Sequence, residues 1–312
     1  MTNKELVLSL FCLKEIGYKG VGTQKIYKFC DSTLNLMSDV TQKTLQSLLK
    51  EKLSLDINSG LLDSAYSHAC RYIENSSKHE INFISLWDED YPIEFNSTVD
   101  ENGKPSPPIA IWYKGNLEIT KMPGIAIIGT KKPTKEGLIS GEIVSSSFAQ
   151  SGFNIISGLA IGCDTCAHKG ALKVNGKTTA ILANGLDWDS IYPSENIMLS
   201  KEIYEKGGLL ISEYPIGSKV NKYALVARDR LQAGLAKGTI VIQTSVKGGT
   251  MHAANTTLIS QKPLYTMLFK SQVTNTSECC QGNAILVNKG AKYLSGRDAL
   301  ENFNAAKQEL LR

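Results

Sequence analysis

Ile125-Ala-Ile-Ile-Gly-Thr-Lys-Lys-Pro133 opens a run to Thr256 in which four glycine-bearing turns each follow an apolar, strand-like segment. The other three turns are Ser157-Gly-Leu-Ala-Ile-Gly-Cys-Asp164, Asn184-Gly-Leu-Asp187 and Lys247-Gly-Gly-Thr250. Glycines at strand ends let backbone amides approach a ligand, and a helix N-terminus behind such a turn adds partial positive charge. Phosphate is the ligand class such turns hold best, so this region is expected to bind a nucleotide or nucleic acid.

Working outward, strands and helices alternate from Gly124. Apolar runs at 125–128, 153–156, 178–183, 209–212 and 239–242 are separated by helical patterns at about 137–150, 164–173 and 195–206 and by a helix after Asp229. Continuous apolar strands divided by helices predict a largely parallel sheet covered on both faces, with ligand turns at the carboxyl ends of its strands. The fold class is therefore α/β, with a mostly parallel sheet. Residues 1–80 read as a small helical N-terminal domain. Within it Ile16-Gly-Tyr-Lys-Gly-Val-Gly-Thr-Gln-Lys-Ile26 is similar to the hairpin of a helix-hairpin-helix module, whose glycine turn presents amides to a DNA phosphate. An ordinary helical-hairpin turn accounts for it equally. Residues 81–122 are aromatic, proline-rich and without clear periodicity, which predicts an irregular connector packed on the sheet domain. Its tryptophans, Trp87 and Trp112, are expected to pack rather than to stack on bases. The sheet domain is expected over 123–296 and a C-terminal helix over 297–312.

Composition limits the function classes. With 312 residues and 42% hydrophobic content the chain can bury a sizeable core, while 34 basic against 30 acidic residues leave a formal charge of only +4. Local clustering has to argue for a polyanion. Lys131, Lys132 and Lys135 crowd the first turn, Lys219, Lys222, Arg228 and Arg230 crowd a later segment, and two of the five arginines lie there. The apolar run from Leu6 to Leu13 is too short for a signal peptide or membrane span, so a cytoplasmic protein without a membrane segment is expected. The seven cysteines form no disulfide framework. Cys163-Asp-Thr-Cys166 has the spacing of a redox motif or half a zinc site, and a thiol at a helix start would have a lowered pKa. The adjacent pair Cys279 and Cys280 cannot supply a second such gap, so small packing residues are expected, with no metal and no cofactor. His168 is expected to form hydrogen bonds at a helix start.

In order along the chain, these motifs resemble the DprA/Smf family of bacterial DNA-processing proteins over nearly the whole length. The family's Gly-Ser-Arg-x-Pro and Ser-Gly-x-Ala-x-Gly-x-Asp-x-x-Ala-His patterns are similar to Gly129-Thr-Lys-Lys-Pro133 and to Ser157 through His168. Gly185-Leu-Asp187, Tyr192-Pro-Ser-Glu-Asn196, Ser212-Glu-Tyr214 and Arg228-Asp-Arg-Leu-Gln-Ala-Gly-Leu235 follow in family order. The helical N-terminus resembles the family's sterile-alpha-motif-like domain. The resemblance implies an extended Rossmann-like fold in a homodimer that binds single-stranded DNA, assists loading of a RecA-type recombinase and performs no catalytic turnover. It places a backbone phosphate on Gly129, Thr130 and Lys131, with Lys132 beside them. Ser157, Gly158, Gly162 and Asp164 shape the adjoining turn, and Asn196 belongs to the same set. Arg228 and Arg230 are implied as paired phosphate contacts near a helix start, and Lys247, Gly248, Gly249 and Thr250 as the closing wall.

Departures mark a diverged member. Lys131 stands for the usual arginine, Ile161 for another, and Ser194 for a position that is often basic. Gly248-Gly-Thr250 replaces Ser-Gly-Ser, Tyr265-Thr-Met-Leu268 replaces a Val-Pro-Gly segment, and the chain stops at Arg312 without room for the winged-helix tail of many relatives. Two further function classes therefore stand beside the DNA binder. One is a sensor of a nucleotide-derived ligand. Its hydrolytic variant is disfavoured because no acidic residue falls between Ser245 and Pro263 to serve an oxocarbenium-like centre. The other is a regulatory or antitoxin partner of a toxin in a phage-defence module.

Overall fold

The computed structural model describes residues 2–18, 20–34, 40–295 and 299–311. They form two compact units, Met1–Tyr91 with Ile109–Trp112, and Pro92–Pro108 with Tyr113–Arg312.

The first unit holds α1 (Asn3–Glu15), α2 (Thr23–Leu34), α3 (Gln42–Leu53) and α4 (Ser59–Lys78), followed by β1 (Asn82–Ser85). Local chemistry starts these helices. Thr2 and Glu5 exchange side-chain and backbone hydrogen bonds as a capping box on α1, and Asn58 caps α4 by accepting from the Leu61 amide at 2.8 Å. Leu6, Leu10 and Leu13 of α1 are buried, as are Leu62, Ala65 and Ala69 of α4. Gly17 and Gly20 of the turn after α1 have φ of 90° and 108°; Lys19, in the segment similar to a helix-hairpin-helix turn, lies outside the described residues. Trp112 is buried with its ring 4.7 Å from Phe83, and Trp87 lies 6.1 Å from Tyr27, so both indoles are packed.

Residues 81–122 depart from the expected irregular connector. Asn82–Ser85 is β1 and Ala110–Gly115 is β2. Both are short, β1 holds only two apolar residues, Phe83 and Ile84, and neither shows the period-two alternation of a half-buried strand, while the prolines between them read as irregular chain.

The second unit carries β3 (Gly124–Ile128), α5 (Lys135–Gln150), β4 (Asn154–Ser157), α6 (Cys163–Lys173), β5 (Thr178–Leu182), α7 (Ile197–Glu205), β6 (Leu209–Ser212) and α8 (Lys222–Leu235). There follow β7 (Gly238–Val241), α9 (Thr250–Ile259), β8 (Leu264–Leu268), α10 (Gln272–Thr276), α11 (Gln281–Asn288), β9 (Lys292–Ser295) and α12 (Ala299–Leu310). The end of β2 borders β6, and the order continues β6-β5-β4-β3-β7-β8-β9, with β3 through β9 paired in parallel. The expected α/β, Rossmann-like, mostly parallel sheet is present. Alternating side chains of β3 serve two cores. Ile125 and Ile127 pack with Val144 and Phe148 of α5 and Phe303 of α12, whereas Ile128 packs with Ala253 and Ala254 of α9. Residues 296–298 and 312, which bound the expected C-terminal helix, lie outside the described residues. Among the described residues no helix is long and apolar enough to cross a membrane.

This order reverses at β3. The chain runs outward from β3 to β6, then returns through α8 to add β7 on the other side of β3. The crevice at the carboxyl ends of β3 and β7 is thus a topological switch point, where open parallel sheets bind their ligands.

Candidate nucleic-acid interface

At this switch point lies a cavity of about 510 Å³. Gly129, Thr130, Lys131 and Lys132, from the turn after β3, form one wall; Gly248, Gly249 and Thr250, leading into α9, form a second; α8 forms the third. A smaller neighbouring pocket shares Lys131 and Arg228 and reaches Gly158, Ser194 and Tyr192, whose ring lies 5.9 Å from the Lys131 Nζ.

The first turn is locked by a residue that motif reading passed over. Thr130 donates its amide to the Gln243 carbonyl at 2.7 Å, and the Gln243 side chain accepts from the Thr134 amide at 2.9 Å while donating to the Thr134 hydroxyl at 3.0 Å. Gln243 is fully buried. Its signal in the sequence is a polar pair, Gln243-Thr244, directly after an apolar strand. With the turn fixed in this way, the ammonium groups of Lys131 and Lys132 stand at the mouth.

Two helix N-termini adjoin the crevice, and they differ. At α6 the Asp164 carboxylate accepts from the amides of Gly158 and Ala160, each at 3.2 Å, while the Cys163 amide donates to the Thr130 carbonyl at 3.1 Å. The first amide of α6 is thus spent on the chain's own carbonyl, and a carboxylate stands beside it. Burial raises the Asp164 pKa to about 6, against the lowering effect of Arg228. Gly162 begins this helix with φ of 82°, and a Cβ there would meet the Thr130 carbonyl oxygen at 2.6 Å. At α9, in contrast, Gly249 provides no side-chain cap: the Met251 and His252 amides donate to the carbonyls of Gly248 and Gly249 at 3.0 Å each, and the Thr250 amide, at the cavity wall, is left for a ligand. Lys247 precedes this turn and is not part of the cavity wall.

Ser157, Asn196 and Arg228 serve the scaffold. The Ser157 hydroxyl donates to the Ile127 carbonyl at 2.7 Å, and the Asn196 amide donates to the Leu159 carbonyl at 2.7 Å and the Thr165 hydroxyl at 2.9 Å. Arg228 is buried; its Nη1 donates to the carbonyls of Gly158 and Ile181 at 2.6 and 2.7 Å, and its Nε to Asp229 at 3.1 Å. Gly158 has no room for a side chain, since a Cβ there would strike this guanidinium. Arg230 makes a two-pronged pair with Glu213, both contacts at 2.7 Å, and lines a different pocket. The expected helix after Asp229 begins earlier, at Lys222, where Asn221 accepts from the Ala224 amide at 2.9 Å. Both arginines consequently sit two turns inside α8 rather than near its start. The same shift brings Lys222 and Asp229, neither of them implied by the motifs, into the cavity wall with His252 of α9.

Cys163 and Cys166 are buried on α6, and burial pushes the first thiol well up and the second to about 12, the reverse of a lowered helix-start thiol. His168 is also fully buried. Its Nδ1 lies 2.7 Å from the Thr178 hydroxyl, which spends its proton on the Ile155 carbonyl, so Nδ1 donates. Among the described residues no group of three or more His, Cys, Asp or Glu is placed to hold a metal ion.

Comparison with known proteins bears on the fold and the family. The model of the family described as DNA recombination-mediator protein A matches residues 82–304. Protein Smf of Synechocystis is 32% identical over 74% of this chain and 56% of its own length, so the chain matches little more than half of that relative. The X-ray structure of DNA processing protein A (DprA) from Streptococcus pneumoniae superposes with a TM-score of 0.74 at 27% identity, covering 95% of this chain and 97% of the other. A Helicobacter pylori DNA processing protein A structure, described for its single-stranded DNA binding mode, superposes with a TM-score of 0.62 at 27% identity over 73% of this chain and 96% of the other.

Proposed function

The chain belongs to the DNA recombination-mediator protein A family, and from that premise we propose that it binds single-stranded DNA through the switch-point cavity and acts in DNA processing without catalytic turnover. One observation carries this reading: Lys131, Lys132, Lys222 and the uncapped start of α9 converge on a single cavity at the carboxyl ends of β3 and β7. Ammonium groups and a helix-start amide, that of Thr250, together suit a phosphate. The exposed Tyr192 ring, beside Lys131, offers a face on which a neighbouring base stacks. The absence of turnover is supported by the engagement of Asp164, whose carboxylate accepts from two backbone amides. Recombinase loading by a homodimer is the extension of this reading that family membership supports.

Fluorescence anisotropy of a labelled single-stranded oligonucleotide, set against duplex of the same sequence, tests it. The single strand should bind more tightly, and its affinity should fall about tenfold or more between about 50 and 200 mM salt. A preference for duplex, or binding indifferent to salt, would contradict the proposal.

A further inference from the structure

We propose that the cavity reads the base of the nucleotide it holds, and that Asp229 and Gln232 on α8 select guanine. The inference rests on the nucleic-acid reading of the same cavity and adds a specificity to it.

Lys222, Leu225, Val226, Asp229 and Gln232 recur at helical spacing along α8 and all face the cavity. Lys222 stands at the mouth. Gln232 is only 2% exposed, yet its amide makes no hydrogen bond to any described residue. Buried amides are almost always paired. This one opens on the cavity, beside a Gly158 whose missing side chain leaves it room, since a Cβ there would meet the Gln232 Nε2 at 2.5 Å. The Asp229 carboxylate, one turn earlier, spends part of one oxygen on Arg228 at 3.1 Å and keeps acceptor sites for a ligand.

The two side chains together offer a carboxylate that only accepts and an amide able to donate. Guanine presents the complement on its Watson–Crick edge: N1–H and the N2 amino group as adjacent donors for Asp229, and O6 as an acceptor for the Gln232 Nε2. Adenine sets the N1 lone pair against the carboxylate. Cytosine and thymine each give it a single donor. Leu225 and Val226 supply an apolar wall for the ring, and the start of α9 with Lys131 lies within reach of the same nucleotide's phosphate. The ligand chemistry is thus a guanine nucleotide, whether a residue of single-stranded DNA or a free mononucleotide.

The test uses the full chain and labelled oligothymidylates of equal length that carry a central guanine, adenine or hypoxanthine, with dGMP and dTMP as competitors. Guanine should strengthen binding over thymine by about tenfold, and hypoxanthine, which lacks the N2 amino group, should fall between them. Asp229→Asn and, separately, Gln232→Leu should each narrow the guanine-to-thymine ratio toward one. Equal affinity of the wild-type chain for all bases, with single-strand binding intact, overturns the base reading alone. Direct binding of dGMP but not dTMP, read by isothermal titration calorimetry, without oligonucleotide binding, supports the guanine site and overturns the single-strand reading. Binding of neither oligonucleotide nor dGMP overturns both.

Discussion

His168 is neutral in the folded protein for a reason that can be followed atom by atom. Its Nδ1–H is held by Thr178, while its Nε2 is buried without a partner. Protonation would place a second N–H in surroundings that offer it no acceptor, and burial lowers the pKa to about 3, with Arg228 adding to the effect. The unfolded chain takes up this proton near pH 6.5, and the native state does not until about pH 3. Stability due to His168 is therefore present above that window and lost as pH falls through it, at up to about 1.4 kcal/mol per pH unit. Asp164 works in the opposite sense. With its pKa raised to about 6, it holds a proton that the unfolded chain has released, so stability falls as pH rises from about 4 to 6. A comparison of wild type with His168→Gln by urea unfolding from pH 7 to pH 4 separates the two. The variant should lose less stability on acidification than the wild type; equal losses would show that His168 is not kept neutral.

At the scale of elements, one side chain ties three of them together. Arg228 reaches from α8 to the carbonyl of Ile181 on β5 and to that of Gly158 at the end of β4, while Asp229 steadies its Nε. Arg228→Ala removes a buried cation and leaves both carbonyls and the carboxylate unmatched, so it should cost about 3–5 kcal/mol in chemical denaturation. Arg230→Ala breaks a more exposed pair and should cost clearly less. Similar losses in the two variants would contradict the assignment of Arg228 as the tie. The sequence made part of this legible. Apolar runs ending in glycine turns announced β3, β4 and β5 and the parallel sheet, because strand buried on both faces is locally coded. The start of α8 was misjudged although Asn221 is a sound N-cap, because the motif around Arg228 drew the boundary with it. β1 and β2 carry no such signal, because strands of four and six residues among prolines have no period of their own. The strand order, and with it the switch point, depends on pairing between distant segments, so no single motif reports it. Gln243 and Gln232 show the same limit for the site: their weight comes from burial, which is settled only once β7 and α8 are in place.

For the whole molecule, the central claim is that a modestly charged chain concentrates its anion affinity at one place, the switch point between β3 and β7. A formal charge of +4 gives little general attraction to a polyanion, so binding should depend on the few cations at the cavity mouth. Lys131 and Lys132 follow a strand-end glycine, are exposed, and make no salt bridge with any described residue. Their removal should leave the fold intact, which circular dichroism and thermal melting would check. The most direct measurement is the salt dependence of single-stranded oligonucleotide binding by wild type and by the double variant Lys131→Ala, Lys132→Ala. Each phosphate contact on a single strand contributes about 0.7 to the slope of log affinity against log salt. The double variant should bind more weakly, with a slope shallower by about 1.4; a folded double variant with the wild-type affinity and slope would place the DNA elsewhere and contradict the account.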